Sequence, residues 1–262
     1  MTATLYNLDA LTLLDLLEPG SVDAIITDLP YGTTAMQWDE IIPFAPMWAG
    51  VKRVLKPRGA FVTTASQPFT SKLVMSNLEW FREEVIWDKR SPVDFMNVKI
   101  RHMKRHDNII VFCDGRPTYN PQERQHTTKP FGKIYAVSTA SYGSFGKERK
   151  NGIGYPHSII EIQRPNVLTA DPAGLHPTQK PVALYAYLIR TYTNPGDVVL
   201  DFCMGSGTTG VACTETGRNF IGSDSDTEHG YFEIAKHRIA RAELQPVLFR
   251  HEERAEQGKL IE

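Results

Sequence analysis

Apolar runs broken by Gly and Pro alternate along this chain with longer mixed segments. The first run, Val22-Asp23-Ala24-Ile25-Ile26-Thr27, follows the turn cluster Glu18-Pro19-Gly20-Ser21. It predicts a strand that stops at Asp28-Leu29-Pro30-Tyr31-Gly32. A helix is expected over Phe44 to Leu55, closed by Lys56-Pro57-Arg58-Gly59, and then a strand over Ala60 to Thr64. A helix around Phe69 to Asn77 leads to strands over Phe81 to Trp87 and Asn108 to Cys113. Further on come a helix over Pro181 to Tyr192, a buried strand over Asp197 to Phe202 and a helix over Thr208 to Thr216. A short strand over Asn219 to Gly222 and a helix over Glu228 to Leu244 complete the pattern. Strands alternating with helices imply an α/β fold with a mostly parallel sheet.

Residues 114–175 lose this rhythm. They are rich in Gly, Pro, Ser, Thr, Asn and Tyr and read as an inserted, loop-rich subdomain between 1–113 and 176–262. Within it Tyr119, Tyr135, Tyr142 and Phe145 either fill the space left by a displaced ligand or form a small core, and core is the preferred reading.

Composition changes the picture little. A chain of 262 residues with 41% apolar and 23% charged content suits one large globular domain, or one domain with a sizeable insertion. No apolar run approaches the roughly eighteen residues of a membrane span. Met1 to Leu14 lack a basic start and a small-residue cleavage site, so a cytoplasmic location is the expectation. The three cysteines, Cys113, Cys203 and Cys213, form no C-x-x-C pair and are expected to be small, buried and reduced. His102, His106 and His126 lack metal-ligand spacing, so no metal is expected.

Charge is more informative. The net value is −1. From Lys99 to Arg164, twelve Lys or Arg stand against five Asp or Glu, whereas the flanking segments each sum to −4. A basic middle between acidic flanks suits a nucleic-acid surface, and a solvated irregular insertion fits the same count.

The chemistry concentrates in two turns. Asp201-Phe202-Cys203-Met204-Gly205-Ser206-Gly207-Thr208-Thr209-Gly210 leaves a strand and opens a helix, where glycines admit a ligand and free N–H groups favour an anion. Asp224, at the end of the next strand, is placed to accept from ribose hydroxyls. Gly205-x-Gly207-x-x-Gly210 also matches the dinucleotide fingerprint. Against a nicotinamide enzyme, Gly205 lies four residues beyond Asp201, and 52 residues follow Gly210. In the second turn, Asp28-Leu29-Pro30-Tyr31, a carboxylate follows directly on an apolar run. A carboxylate and a backbone carbonyl suit an exocyclic base amine. Its lone pair is delocalised, so both N–H groups need acceptors while nitrogen faces a methyl donor. An adjacent aromatic ring can stack on a base removed from the duplex.

Asp-x-x-x-Gly-x-Gly resembles the first motif of S-adenosylmethionine-dependent methyltransferases. Asp28-Leu29-Pro30-Tyr31-Gly32 resembles the Asp-Pro-Pro-Tyr motif of amino-methylating DNA methyltransferases, and His176-Pro177-Thr178-Gln179-Lys180-Pro181 resembles another motif of that family. The order of the three resembles the beta group. It implies a Rossmann-like methyltransferase fold with circularly permuted motifs and an antiparallel strand in a mostly parallel sheet.

By this resemblance Asp28 and the Leu29 carbonyl accept from the target amine, Pro30 shapes the turn, and Tyr31 stacks on the flipped base. The cofactor S-adenosyl-L-methionine would be held by Asp9, Asp28, His176, Thr178, Lys180, Asp201, Phe202, Cys203, Gly205, Ser206, Gly207, Thr208 and Asp224. Trp87-Asp88-Lys89 and Arg105-His106-Asp107 resemble later strand motifs beside the base pocket, and Trp38 either covers the site or packs. Two departures stand out: Leu29 replaces the usual proline, and Leu8 replaces the glycine before Asp9. Leu29 precedes Pro30, which still biases it towards extended backbone.

Asp rather than Ser at the first motif position implies N6 of adenine in double-stranded DNA. Transfer to cytosine N4, a protein or RNA substrate, and a module without catalysis are the alternatives. The insertion would be the target-recognition region, with Arg116, Arg124, Lys129, Lys133, Lys147, Arg149 and Lys150 as candidates for phosphate contact. Homodimers are frequent in the group, so a homodimer is a further expectation.

Overall fold

The strand expected over 22–27 forms as β2 (Val22–Thr27), in the middle of an eight-stranded sheet. The computed structural model describes residues 1–34, 39–122, 124–125, 137–139, 143–145, 153–164, 179–225 and 230–244. Across the sheet the order is β1 (Ala3–Tyr6), β12 (Asn219–Ser223), β11 (Val198–Asp201), β2, β3 (Leu55–Ala65), β5 (Lys104–Cys113), β4 (Phe81–Val93) and β10 (Ile159–Glu161). Strand β5 runs antiparallel to both β3 and β4, and the other pairings are parallel. The C-terminal ends of β2, β3, β4, β11 and β12 therefore share one rim. Two short pairs stand apart from this sheet: β6 (Arg124–Gln125) with β9 (Ile153–Gly154), and β7 (Val137–Thr139) with β8 (Gly143–Phe145).

Helices cover both faces. On one lie α1 (Ala10–Leu16), α2 (Phe44–Val54) and α3 (Phe69–Ser76); on the other lie α4 (Val182–Tyr192), α5 (Thr208–Thr216) and α6 (Tyr231–Leu244). The alternation of β2 explains the two layers. Ile25 packs with Met47, Trp48 and Phe61, whereas Ile26 packs with Val62, Leu184 and Ile189. Central strands are buried on both sides, so they read as continuous apolar runs. Edge-on contacts of Trp48 with Phe61 at 5.0 Å and Phe112 at 4.9 Å anchor the first layer.

The sequence pattern misses β1 and α1, which are short, and β1 is an edge strand of the sheet. It also truncates β4 and β5, whose pairing continues through an irregular register to Val93 and Lys104. Residues 114–175, expected to be loop-rich, contribute β10 to the main sheet, with Ile159 opposite Ile86. Of the three cysteines expected to be buried, Cys113 and Cys213 are, but Cys203 is half-buried because it stands in the rim loop after β11. Among the described residues, no helix is long and apolar enough to cross a membrane, and no group of three or more His, Cys, Asp or Glu residues converges to hold a metal ion.

Candidate active site

At the rim, two distant segments and the local turn meet on one carboxylate. Asp28 follows Thr27, the last residue of β2 and of its ladder with β3, and Pro30 stands two residues further on. One oxygen, Oδ1, accepts from the Tyr31 hydroxyl at 2.8 Å and from the Thr64 hydroxyl. The other, Oδ2, meets the ammonium of Lys180, just ahead of α4. Side-chain exposure is 25% for Asp28 and 10% for Lys180, so water screens this pair weakly. The Tyr31 ring stacks on Phe69 at 5.3 Å and 22°, with Lys180 Nζ 5.7 Å from its centroid. Burial, and then the charge of Asp28, hold the Tyr31 phenol well above its ordinary value, so it stays a hydrogen-bond donor.

The glycine-rich loop lies beside this carboxylate. Thr27, the neighbour of Asp28, donates from its hydroxyl to Asp201 Oδ1 at 2.7 Å, and the amide of Cys203 donates to the same oxygen at 3.0 Å. Thr209 of α5 donates to Oδ2 at 2.5 Å. Asp201 thus ties strand β2, the loop and the helix together. The loop closes where the Gly205 amide donates to Asp224 Oδ2 at 2.9 Å, and Arg238 of α6 grips the Ser206 carbonyl at 2.5 Å.

The glycines divide by role. Gly205 has φ +50, and a Cβ built there meets nothing within 4 Å among the described residues, which leaves an open cradle over the loop. Gly207 has φ +79, but its missing Cβ makes room for Ala235 of α6 at 2.8 Å. At Gly210 a Cβ would lie 2.4 Å from Ile239. The fingerprint glycines after the first therefore serve helix packing. Phe202 is buried against Phe61, and Thr208 begins α5.

Burial pushes the Asp201 carboxyl up to about 7, against the lowering effect of hydrogen bonds from Thr209, Thr27 and Cys203, and the charge of Asp28 adds to the rise. The folded protein then holds this proton more tightly than the unfolded chain. The stability it contributes is complete below the ordinary carboxylate value and is lost as pH rises through about 7. Asp201→Asn cannot ionise and should remove this loss. Denaturant titrations at about pH 5 and about pH 8 should show wild type losing stability relative to the variant. A difference that does not vary with pH contradicts the assignment.

The neighbouring part of the rim comes from β3, β4 and β5. Lys89 contacts Asp107 Oδ2 at 2.6 Å, Lys104 contacts Asp107 Oδ1 at 3.2 Å, and the Lys104 ammonium also reaches Ser66. Burial lowers the Lys89 ammonium, against the pull of Asp107. The Tyr185 hydroxyl of α4 is buried and meets no hydrogen-bond geometry among the described residues, although Asp28 and Thr64 lie close enough to influence it.

The site residues read from sequence separate accordingly. Asp28, Tyr31, Lys180, Asp201, Cys203, Gly205, Ser206 and Asp224 meet along one stretch of the rim. Leu29 is buried in the core beside them. Asp9, expected at the cofactor, caps α1 by accepting from the amides of Leu11 at 3.0 Å and Thr12 at 3.1 Å. It stays near the loop because the Leu8 carbonyl accepts from Ser223 at 2.5 Å. Asp88 and Arg105 pair with each other at 2.8 Å. Arg116, expected on DNA, lies at the opposite end of the sheet from Asp28. Strand β5 runs down to Cys113 opposite Ala60, and Gly115 and Thr118 then contact Arg82 and Arg58. Tyr119, expected in a small core, is 47% exposed and rests on Tyr192. His176, Thr178, Lys129, Lys133, Lys147, Arg149, Lys150, Trp38, His126, Tyr135 and Tyr142 lie outside the described residues, as do the side chains of Arg124 and Phe145.

Sequence reasoning missed Thr64, Phe69, Tyr185, Arg238 and above all Asp39. The buried carboxylate of Asp39 accepts from the backbone amides of Tyr31, Gly32, Thr33 and Thr34 at 2.7, 2.9, 2.8 and 2.7 Å. Burial raises its carboxyl, but the hydrogen bonds from Thr34, Gly32 and Thr33 outweigh it and leave the value lowered. The one available signal was an acid following the turn residues Gly32-Thr33-Thr34.

A mostly parallel sheet with a glycine loop after one strand, and an acid-aromatic turn after its neighbour, defines a Rossmann-like methyltransferase with permuted motif order. The DNA methylase profile matches residues 22–237, and the chain belongs to that family of N6/N4 DNA methyltransferases. It is 29% identical over 247 residues to the type II methyltransferase M.HpaI of Haemophilus parainfluenzae, covering 88% of this chain and 72% of that one. Its identity to the type II methyltransferase M1.MboII of Moraxella bovis is 27% over 245 residues, covering 86% and 92%. The crystal structure of the M1.HpyAVI–SAM complex superposes with a TM-score of 0.60 at 27% identity, covering 91% of this chain and 99% of that one. The cytosine-N4-specific PvuII DNA methyltransferase shares the fold at 17% identity and a TM-score of 0.61, covering 93% and 92%.

Proposed function

We propose that this enzyme methylates N6 of adenine in double-stranded DNA, with S-adenosylmethionine as methyl donor and a base flipped out of the duplex. The carrying observation is the Thr27–Asp201 hydrogen bond of 2.7 Å, which sets the Asp28 turn beside the open cradle at Gly205. That cradle, with Asp224 closing it, fits an adenosine-bearing donor, and Phe202, Cys203, Ser206 and Thr208 belong to the same turn. When bound, the donor supplies an electrophilic methyl group on sulfur.

The chain's own residues do the rest. Asp28 accepts one N–H of the target amine and the Leu29 carbonyl accepts the other, which turns the nitrogen lone pair towards the methyl group. Tyr31, backed by Phe69, offers a ring to the extruded base. With the donor in place, its methyl group would pass to the amine nitrogen with the S–C bonding pair left on sulfur, and Asp28 would take the amine proton to solvent. Before this, the base must displace donors already on Asp28, namely the Tyr31 and Thr64 hydroxyls and the Lys180 ammonium. Asp rather than Ser at position 28 supports adenine over cytosine. Residues 114–175 are proposed as the target-recognition region, with Arg124, Lys129, Lys133, Lys147, Arg149 and Lys150 on phosphates.

Incubating the protein with duplex DNA and methyl-labelled donor, followed by nucleoside analysis, tests this. Label in N6-methyladenine is expected. Label confined to methylcytosine rejects the adenine assignment, and no label in DNA rejects the function.

A further inference from the structure

Four successive backbone amides converge on one side chain in this site, at Asp39. Asp39 is 6% exposed, and its carboxylate takes two N–H groups on each oxygen: Tyr31 and Gly32 on Oδ1, Thr33 and Thr34 on Oδ2. Such bonds to an ionised acceptor are about twice as strong as neutral ones. Consecutive amides can converge on one anion because the backbone curls around it, and Gly32 makes the curl at φ +65. A Cβ at Gly32 would lie 2.8 Å from Ile41, so the turn is also packed from outside.

The clamped segment begins at the aromatic residue of the catalytic turn. Upstream, β2 pairs with β3 through Thr27 opposite Thr63. Downstream, Asp39 holds the amide of Tyr31 at 2.7 Å. Asp28, Leu29 and Pro30 are therefore suspended between two fixed points. The Leu29 carbonyl and the Tyr31 ring, on which the proposed chemistry relies, take their orientation from this span. Leu29 lacks the ring that would fix its own φ, so more of the rigidity must come from outside the tetrapeptide.

We infer that Asp39 is a positioning residue for methyl transfer, an internal anion whose four amide contacts hold the Tyr31 ring and the Leu29 carbonyl where the target base arrives. This rests on the function proposed above. It confines the effect of losing Asp39 to the base side, because the donor loop is organised separately by Asp201 and Asp224.

Asp39→Asn keeps the shape but points an NH2 group at amides that need an acceptor, and Asp39→Ser is a smaller second variant. Both should lower single-turnover kcat by about 10²-fold, while the donor Kd from calorimetry stays within about twofold. Fluorescence of DNA carrying 2-aminopurine at the target should rise less than with wild type. A loss of kcat below about fivefold, or one that merely follows lost donor binding, overturns the inference. So does failure of both variants to bind donor, since that would place Asp39 in the whole fold. Wild type is assayed in parallel, and its inactivity on DNA would count against the function itself instead.

Discussion

Asp28→Ala is expected to lower kcat by about 10²–10⁴-fold and, since the resemblance also sets Asp28 among the donor's contacts, to weaken donor binding by much less. The expectation follows from what the amine needs. Its lone pair becomes available only when both N–H groups are engaged and the nitrogen is turned from the ring plane, and a methyl side chain accepts nothing. The donor cradle depends on Asp28 only indirectly, since Asp201 takes its three hydrogen bonds from Thr27, Cys203 and Thr209. The variant also leaves the Lys180 ammonium, with 10% of its side chain exposed, without the carboxylate that faces it. Some loss of stability should accompany the loss of rate. Asp28→Asn separates the two effects, because it fills the same space and keeps one acceptor oxygen. Stopped-turnover methylation and donor calorimetry on both variants decide the matter. Transfer by Asp28→Ala within a few-fold of wild type would remove the carboxylate from the chemistry.

Gly207→Val should damage the protein through packing. Position 207 combines a left-handed φ of +79 with a Cβ site 2.8 Å from Ala235 Cβ and 2.9 Å from its Cα. The left-handed backbone costs a side-chain-bearing residue about 1–2 kcal/mol, and overpacking adds about 1–3 kcal/mol. For a domain of this size each kcal/mol lowers Tm by roughly 2–4 °C, so a fall of about ten degrees is expected. Donor affinity should fall with it, because α6 must move and Arg238 on that helix holds Ser206. Gly205→Ala is the informative contrast. Its φ of +50 is strained, but its Cβ meets nothing within 4 Å among the described residues, so donor affinity should fall more than stability. Melting curves with and without donor distinguish the two. Equal stability of Gly207→Val and wild type would mean that α6 does not seat on the loop.

Much of this architecture was legible in the residue pattern. Val22 to Thr27 and Thr208 to Thr216 form over their expected bounds, since an apolar run cut by Pro and Gly, or a helix closed by a glycine, states its own limits. The boundaries that slipped lie where distant pairing decides. Strand β10 exists because Ile159 to Glu161 find the open edge of β4, and nothing in those three residues announces it. Arg116 illustrates the same limit for the site. Its charge suits DNA, but the antiparallel run of β5 carries it to the far end of the sheet.

By itself the sequence determined the fold class and the family, and it marked out Asp28, Tyr31 and Gly205 as candidates, because motif and turn chemistry are local properties of short segments. Tertiary structure alone decided which groups surround them. Lys180 reaches Asp28 across 152 positions, Thr27 reaches Asp201 across 174, and Asp39 curls back over four amides. Hydrogen bonds between distant segments depend on strand order and register, and residue type along the chain carries neither.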